Sequence, residues 1–314
     1  MIVTSVVIPS YQGAERLETL LGCLALQETD FEWEAVVVLD GSTDDSLGTI
    51  ARWNSSVPVR VIDLGTNRGR SAALNAGFDA AMGRVLVRCD DDLSPAPDYV
   101  RRHTEHHEGR DDLGVIGLCP NIFPDTTYAR VYGRQADLLA REAAYADPTQ
   151  RPWRRWAASC SVTRPMFDAV GAYDTAFRAY GWEDVDWGYR LHLAGATFVL
   201  DRGLEAGHLG APATTRIRCD RAFLSGIAQQ KFKVKHKIAD EAETVRSLEE
   251  KLWNSAIWLM ALCPQPARTF YAGMIDRTGD RLPTALGRKL IALAVESSGR
   301  AGSRPAHRRN PALR

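Results

Sequence analysis

Four short apolar runs recur within the first 92 residues, and each is separated from the next by a segment of helical periodicity. They are Ile2 to Ile8, Glu34 to Leu39, Val59 to Leu64 and Val85 to Cys89. Each is rich in β-branched residues and reads as a buried strand. The first ends at Pro9. Glu15 to Leu26 places Leu17, Leu20, Leu21 and Leu24 at helical spacing. Asp40 to Ser46 is a turn with ready N-caps for a helix reaching about Asn54. Thr66 to Arg70 is a loop, and Ser71 to Met82 an Ala-rich helix. Strands alternating with helices in this way mean βαβ units: an α/β fold, Rossmann-like, with a mostly parallel sheet flanked by helices. Right-handed crossovers then bring Pro9-Ser10, Asp40 and the residues after Cys89 to one edge. Ligands of open α/β sheets bind at that carboxyl edge.

The fourth run ends in three consecutive carboxylates, Asp90, Asp91 and Asp92. Three adjacent acids repel one another unless a cation or a basic group offsets them. A hard divalent cation shared with a substrate's phosphates does this, and a solvated acidic turn is the alternative. No GxGxxG fingerprint and no GxxxxGK[ST] loop is present, which disfavours a dinucleotide dehydrogenase and a P-loop enzyme.

The chain has 314 residues, 45% hydrophobic and 25% charged, enough for one large domain or a domain with an appendage. Lys+Arg and Asp+Glu both number 39, so nothing global indicates nucleic acid. Six scattered cysteines form no CxxC pair, which signals neither zinc nor a disulfide framework. Met1 leads straight into a strand, so no secretory signal is expected, and Ala256 to Cys263 is too short to span a membrane. A cytoplasmic protein with reduced thiols is the expectation.

Val6 to Gln12 reads VVIPSYQ and Val38 to Asp44 reads VLDGSTD. These stretches resemble the opening "VVIPTYN" and the "VDDGSTD" of the family-two glycosyltransferases, which have the GT-A fold. Asn67, Gly69, Ala73, Asn75, Gly77, Ala81 and Gly83 match "NxGxxxAxNxGxxxAxG". Asp90 to Asp92, followed by Pro97 and Tyr99, resemble the "DxD" region. Val170 to Asp174 resembles "VGGFDE", and Gly181 to Arg190 resembles "GEDVDLGLR". His208 falls at the family's late histidine. The resemblance covers about residues 2–210. There are departures: Leu39 replaces the first Asp of "DDGS", Leu74 replaces the basic residue of "ARN", and Cys89 stands where "DADD" has its first Asp.

The resemblance implies metal-dependent, inverting transfer of a sugar from a nucleotide sugar, a UDP-sugar in the first place, to an acceptor hydroxyl. It implies a nucleotide-sugar site at Pro9, Ser10, Tyr11, Asp40, Asn67, Arg68, Arg70, Asn75, Asp90 and Asp91. Mn²⁺ or Mg²⁺ would neutralise the departing diphosphate, held by Asp92 with Asp90 and His208. Asp90 with Asp92 has the DxD spacing, and Asp91 with Asp92 is an adjacent pair. The acceptor must lose a proton, and a carboxylate base does this. Asp184 is that base by resemblance, with Glu183 next. Both also fit the cap of a helix from Asp184 to Ala194. Trp182 is either a sugar wall or a packing residue. Two other readings remain: a sugar-1-phosphate nucleotidyltransferase, and a non-catalytic nucleotide-sugar binding protein.

His103, His106 and His107 sit close together on one helical segment, and a solvated helix face is their expected setting. Trp153 to Trp156 has the wrong spacing from Gln150 for the "QxxRW" of processive synthases. Domains are expected at 1–212 (transferase), 213–296 (helical) and 297–314 (a disordered basic tail). In the helical region, helices are expected over Glu241 to Leu262 and Pro283 to Glu296. The region would shape the acceptor site or form a homodimer. Lys231, Lys233, Lys235, His236 and Lys237 read as a solvated face, with an acidic acceptor or a membrane surface as the lesser alternative. The acceptor (saccharide, small molecule, lipid-linked or peptide) has no readable code.

Overall fold

The computed structural model describes residues 1–177, 181–238 and 247–304. The chain opens with β1 (Thr4–Ser10), α1 (Ala14–Leu24), β2 (Trp33–Leu39), α2 (Ser46–Trp53), β3 (Val59–Asp63), α3 (Arg70–Ala80) and β4 (Val85–Cys89). Next come β5 (Leu93–Ser94), α4 (Tyr99–His106), β6 (Leu113–Ile116), α5 (Arg134–Ala146), β7 (Ser159–Thr163), α6 (Arg164–Val170), α7 (Glu183–Leu193), β8 (Thr197–Leu200) and β9 (Gly207–His208). Four helices close it: α8 (Thr215–Lys235), α9 (Leu248–Leu262), α10 (Gln265–Thr278) and α11 (Thr284–Gly302).

Seven strands form one sheet in the order β3-β2-β1-β4-β7-β6-β8, and β5 pairs with β9. The first four are parallel to one another, while β7 runs antiparallel to β4 and β6. This is the mostly parallel α/β sheet expected from the alternation. The strand order reverses at β1, so the crevice opens where β1 meets β4. Core residues cover both faces. Val6, Ile8 and Val37 face the Leu17, Leu20, Leu21 and Leu24 side, and Val7, Val36 and Val38 face Leu74 and Phe78. The apolar stripe read in α1 is therefore its buried stripe.

The first strand does not stop at Pro9 but continues to Ser10. Ser10 O accepts from Asp40 N on the β2 side, so the N–H side of Pro9 faces β4. The ladder with β4 has already ended at Val7–Arg88, so the missing N–H leaves no bond unmade.

Two compact units emerge. One comprises residues 1–122, 139–178 and 183–210, and the other 123–138, 179–182 and 211–314. A boundary at 212 therefore misassigns two short segments. The physical reason lies in side chains such as Tyr128 and Val131, which join the core of Cys219, Ala272, Ile275 and Ile291. In the helical unit, Thr214 caps α8 through Ile217 N at 3.1 Å, and Ser247 with Glu250 forms a capping box on α9. The helix expected from Glu241 starts at Leu248 among the described residues, while 239–246 lie outside them. The expected disorder from Ser297 is not what forms first. Residues to Gly302 continue α11, with Ser297 and Ser298 buried and their hydroxyls returned to Ala294 O. Intrahelical bonding of this kind removes the penalty of burying a serine. Residues 305–314 lie outside the described part.

Candidate active site

The sheet's carboxyl edge carries a cleft of about 270 Å³, lined by Pro9, Ser10, Tyr11, Arg16, Asp40, Asn67, Gly69, Arg70, Ala73 and Asp91. Seven of the residues expected to meet a nucleotide are thus together. Three loops build it, and the motif residues bind those loops to one another. Gln12 N donates to Ser42 Oγ, and Gln12 Oε1 accepts from Thr43 N and Asp44 N. Asp40 accepts from Arg68 N at 2.7 Å and Gly69 N at 2.9 Å. Gly41 has φ +71, and a Cβ there would lie 2.5 Å from Asn67 N, so only glycine lets the two loops meet.

Two expected residues also make architectural contacts. Arg68 contributes its backbone N–H to Asp40, and its guanidinium turns back toward Leu64 O. Asn75 clasps the backbone of Tyr173. Its Nδ2 donates to Tyr173 O at 2.9 Å, and its Oδ1 accepts from Tyr173 N at 2.8 Å. A side chain whose donor and acceptor are both committed has little left for a ligand.

The three carboxylates after β4 have three different fates. Asp90 is held bidentately by Arg88, at 2.8 and 3.1 Å. Asp91 accepts from Ser10 Oγ at 2.6 Å and from the Arg16 fork at 3.0 and 2.9 Å. Burial pushes the Asp91 carboxyl up, against the pull of Arg16 and Ser10. Asp92 lies 3.1 Å from His208 Nε2. Burial would raise the Asp92 carboxyl, but His208 with Arg70 and Arg16 holds it below the usual range. The β5–β9 pairing sets His208 opposite Leu93, one residue past Asp92, and His208 Nδ1 meets Asn121 Oδ1 at 2.8 Å.

Asp92 and His208 suit a divalent ion. Octahedral ligands at about 2.1 Å from a metal stand about 3.0 Å apart in cis positions, close to the 3.1 Å between Asp92 Oδ2 and His208 Nε2. The adjoining space is kept open by Gly210, where a Cβ would run into Asp92 Oδ2 and lie 2.9 Å from His208 Nε2. His208 is oriented between Asn121 Oδ1 at 2.8 Å and Asp92 Oδ2 at 3.1 Å, so its ring is held in place beside the carboxylate. Among the described residues no group of three His, Cys, Asp or Glu is assembled for a metal. The two-ligand pair leaves the remaining positions to phosphate oxygens and water, the usual pattern for Mg²⁺. Asp90 is not shared with this pair, because Arg88 takes both of its oxygens.

At the start of α7, Glu183 and Asp184 each face an arginine. Asp184 Oδ1 is ion-paired with Arg88. Glu183 Oε1 lies 3.3 Å from Arg70, while its buried Oε2 has no hydrogen-bond partner. Burial pushes the Glu183 carboxyl up to about 7, with the Asp184 charge adding to it and Arg70 and Arg88 opposing. The charge of Asp90 in turn raises the Arg70 guanidinium. Trp182 belongs to the helical unit, where its Nε1 donates to Ser225 at 3.0 Å and its ring packs on Phe232. It is a packing element there.

Sequence reasoning passed over Arg88, Arg16 and Asn121. Arg88 carried a signal, since a charged residue inside a buried strand run must find counter-charges. The histidine segment was misread. His103 Nδ1 and His107 Nε2 both meet Ser161 Oγ at 2.9 Å, fully buried, and only His106 faces outward, to Asp201. Positions 103 and 107 share one helix face, and a hydroxyl on β7 supplies their partner.

A mostly parallel sheet with an arginine- and carboxylate-lined cleft at its switch point is an α/β protein of GT-A type with a site suited to an anionic ligand. The sequence profile described as Glycosyl transferase family 2 matches residues 5–163, and the chain belongs to that family of glycosyltransferases. It is 27% identical over 270 residues to the uncharacterized glycosyltransferase YfnE of Bacillus subtilis (strain 168), covering 70% of this chain and 69% of that one. It is 28% identical over 235 residues to the validoxylamine A glucosyltransferase of Streptomyces hygroscopicus subsp. jinggangensis (strain 5008), covering 65% and 55%. Its fold is similar to that of mannosyltransferase PcManGT from Pyrobaculum calidifontis, solved with GDP-Man and Mn²⁺, with TM-score 0.57 and 16% identity over 95% of this chain and 86% of that one. It is also similar to S. aureus TarS 1–349, with TM-score 0.56 and 15% identity over 98% and 92%. Among the described residues no helix is long and apolar enough to cross a membrane.

Proposed function

We propose that the chain transfers a sugar, with inversion, from a nucleotide sugar to an acceptor hydroxyl, and that UDP is the favoured nucleotide. The observation that carries this is the division of labour among the three carboxylates. Arg88 and Arg16 neutralise Asp90 and Asp91, which leaves Asp92 beside His208 at an open, glycine-lined position. Tyr11, half-exposed on the cleft wall, offers a ring to a base. Arg70 stands at the cleft to meet the diphosphate. Asp92 and His208 would hold the divalent metal, which when bound supplies Lewis-acid stabilisation of the departing diphosphate.

Asp184 is the proposed base, oriented by its ion pair with Arg88. Glu183 is a second reading, favoured by its partnerless Oε2 and by a carboxyl near 7, where a base is most effective. The two readings separate cleanly. Asp184→Asn should lower kcat about 100-fold or more, while Glu183→Gln leaves the acidic limb of the pH profile in place. Loss of that limb in Glu183→Gln would make Glu183 the base.

Calorimetric titration with UDP, GDP and dTDP, with and without Mn²⁺, on the wild type and Asp92→Ala tests the donor site. Metal-dependent binding of one nucleotide that the variant loses is the expected result. No binding to any of the three by folded protein overturns the reading. Release of free nucleotide from the donor with Mn²⁺ distinguishes an enzyme from a binding protein. The nucleotidyltransferase alternative is set aside by the family match.

A further inference from the structure

The overall charge of zero conceals a sharp division along the chain. Residues 1–210 hold 20 Lys and Arg against 30 Asp and Glu, whereas residues 211–314 hold 19 against 9. All six lysines (Lys231, Lys233, Lys235, Lys237, Lys251 and Lys289) fall in the second part. Charge asymmetry of this kind marks a segment that meets a polyanion or an anionic surface.

The same helical unit turns an apolar stripe outward. Leu248, Leu252, Leu259 and Leu262 of α9 lie at spacings of four, seven and three, on one helix face, and are between 42 and 72% exposed. Trp258 flanks them at 53%. The opposite face carries Trp253, whose Nε1 donates to Glu296 of α11, so the leucine stripe is the side that α11 leaves uncovered. Charged groups stand at both ends of the stripe, and Lys251 follows Glu249 and Glu250 in the first turns of α9. Lys289 approaches Glu249 at 4.0 Å near the N-terminus of α9. At the other end Arg304 Nη1 donates to Ala261 O and Arg268 Nη1 to Cys263 O.

We propose that α9 docks the chain on an anionic lipid surface, with the leucine stripe and Trp258 in the headgroup–acyl boundary and the flanking Lys and Arg on the lipid phosphates. A helix with Leu and Trp on one face and cations beside it lies in the plane of such an interface. Charge argues against a second copy as the occupant, since it would oppose two units of the same strong positive sign. It equally disfavours a neutral apolar partner, which would leave the positive excess of residues 211–314 (19 Lys and Arg against 9 Asp and Glu) without a counter-charge.

The test is co-sedimentation of the full chain with vesicles of phosphatidylcholine alone and with phosphatidylglycerol added, at low and high salt. The expected result is binding to the anionic vesicles only, weakened by salt. Leu252→Ser/Leu259→Ser should reduce partitioning by about tenfold or more, and Lys251→Glu/Lys289→Glu should do the same. Because all four side chains face outward, the melting temperature should not change, and circular dichroism checks this. Equal binding to neutral vesicles, or no binding by folded wild type, overturns the proposal. So does a homodimer in sedimentation velocity that the leucine variant dissociates.

Discussion

Replacing Arg88 tests the electrostatic core of the site. The side chain is 1% exposed near the C-terminal end of β4 and bridges Asp90, through two hydrogen bonds, and Asp184. Arg88→Met keeps the apolar stem but removes the guanidinium, the part of the side chain that reaches both acids. Breaking a buried ion pair from one side costs about 3–5 kcal/mol, because the partner is left as an uncompensated charge. Here two carboxylates are stranded, but at 12 and 13% exposure both retain some water, and Arg70 still faces them. The lower end, about 3 kcal/mol, is therefore expected, a large part of the ~5–15 kcal/mol that holds a typical protein folded. Urea unfolding followed by tryptophan fluorescence measures it. A loss below about 1 kcal/mol would refute the argument that Arg88 neutralises these acids.

Acid stability should depend on the buried histidines. Burial depresses His107 to about 4 and also lowers His103, both below the unfolded value, so their contribution is intact above about pH 6.5 and is lost as pH falls, at about 1.4 kcal/mol per unit for each. His107→Gln should flatten urea-derived stability between pH 6.5 and 4, and an unchanged slope would contradict the assignment. Gly210→Ala should weaken Mn²⁺ binding by about 10–100-fold while leaving metal-free nucleotide affinity unchanged, as read by calorimetry. Asn75→Ala should cost about 1–3 kcal/mol in thermal unfolding by orphaning the Tyr173 N–H and C=O, with donor affinity intact; weaker donor binding at unchanged stability would return Asn75 to the ligand.

The α/β alternation, the position of the cleft and most of its walls were legible because they depend on local periodicity and on which strand ends carry polar residues. Pro9, Ser10, Tyr11, Asp40, Asn67 and Arg70 follow from such ends and the loops after them, and the structure brings them to one opening. The family motifs were legible as a set, and within them Gln12, Ser42, Thr43 and Asn75 tie loops and backbone together.

What the sequence by itself determined was therefore the class of fold and the edge at which its site lies. Only the tertiary structure decided which of three adjacent acids stays open to a cation. That choice rests on Arg16 and Arg88 arriving from α1 and from within β4, and on His208 arriving on β9. It also decided that His103 and His107 are core, through one hydroxyl on β7, and that α9 shows its leucines to the outside. Side-chain pairing between residues a hundred positions apart is set by packing, and packing leaves no periodic trace in the chain.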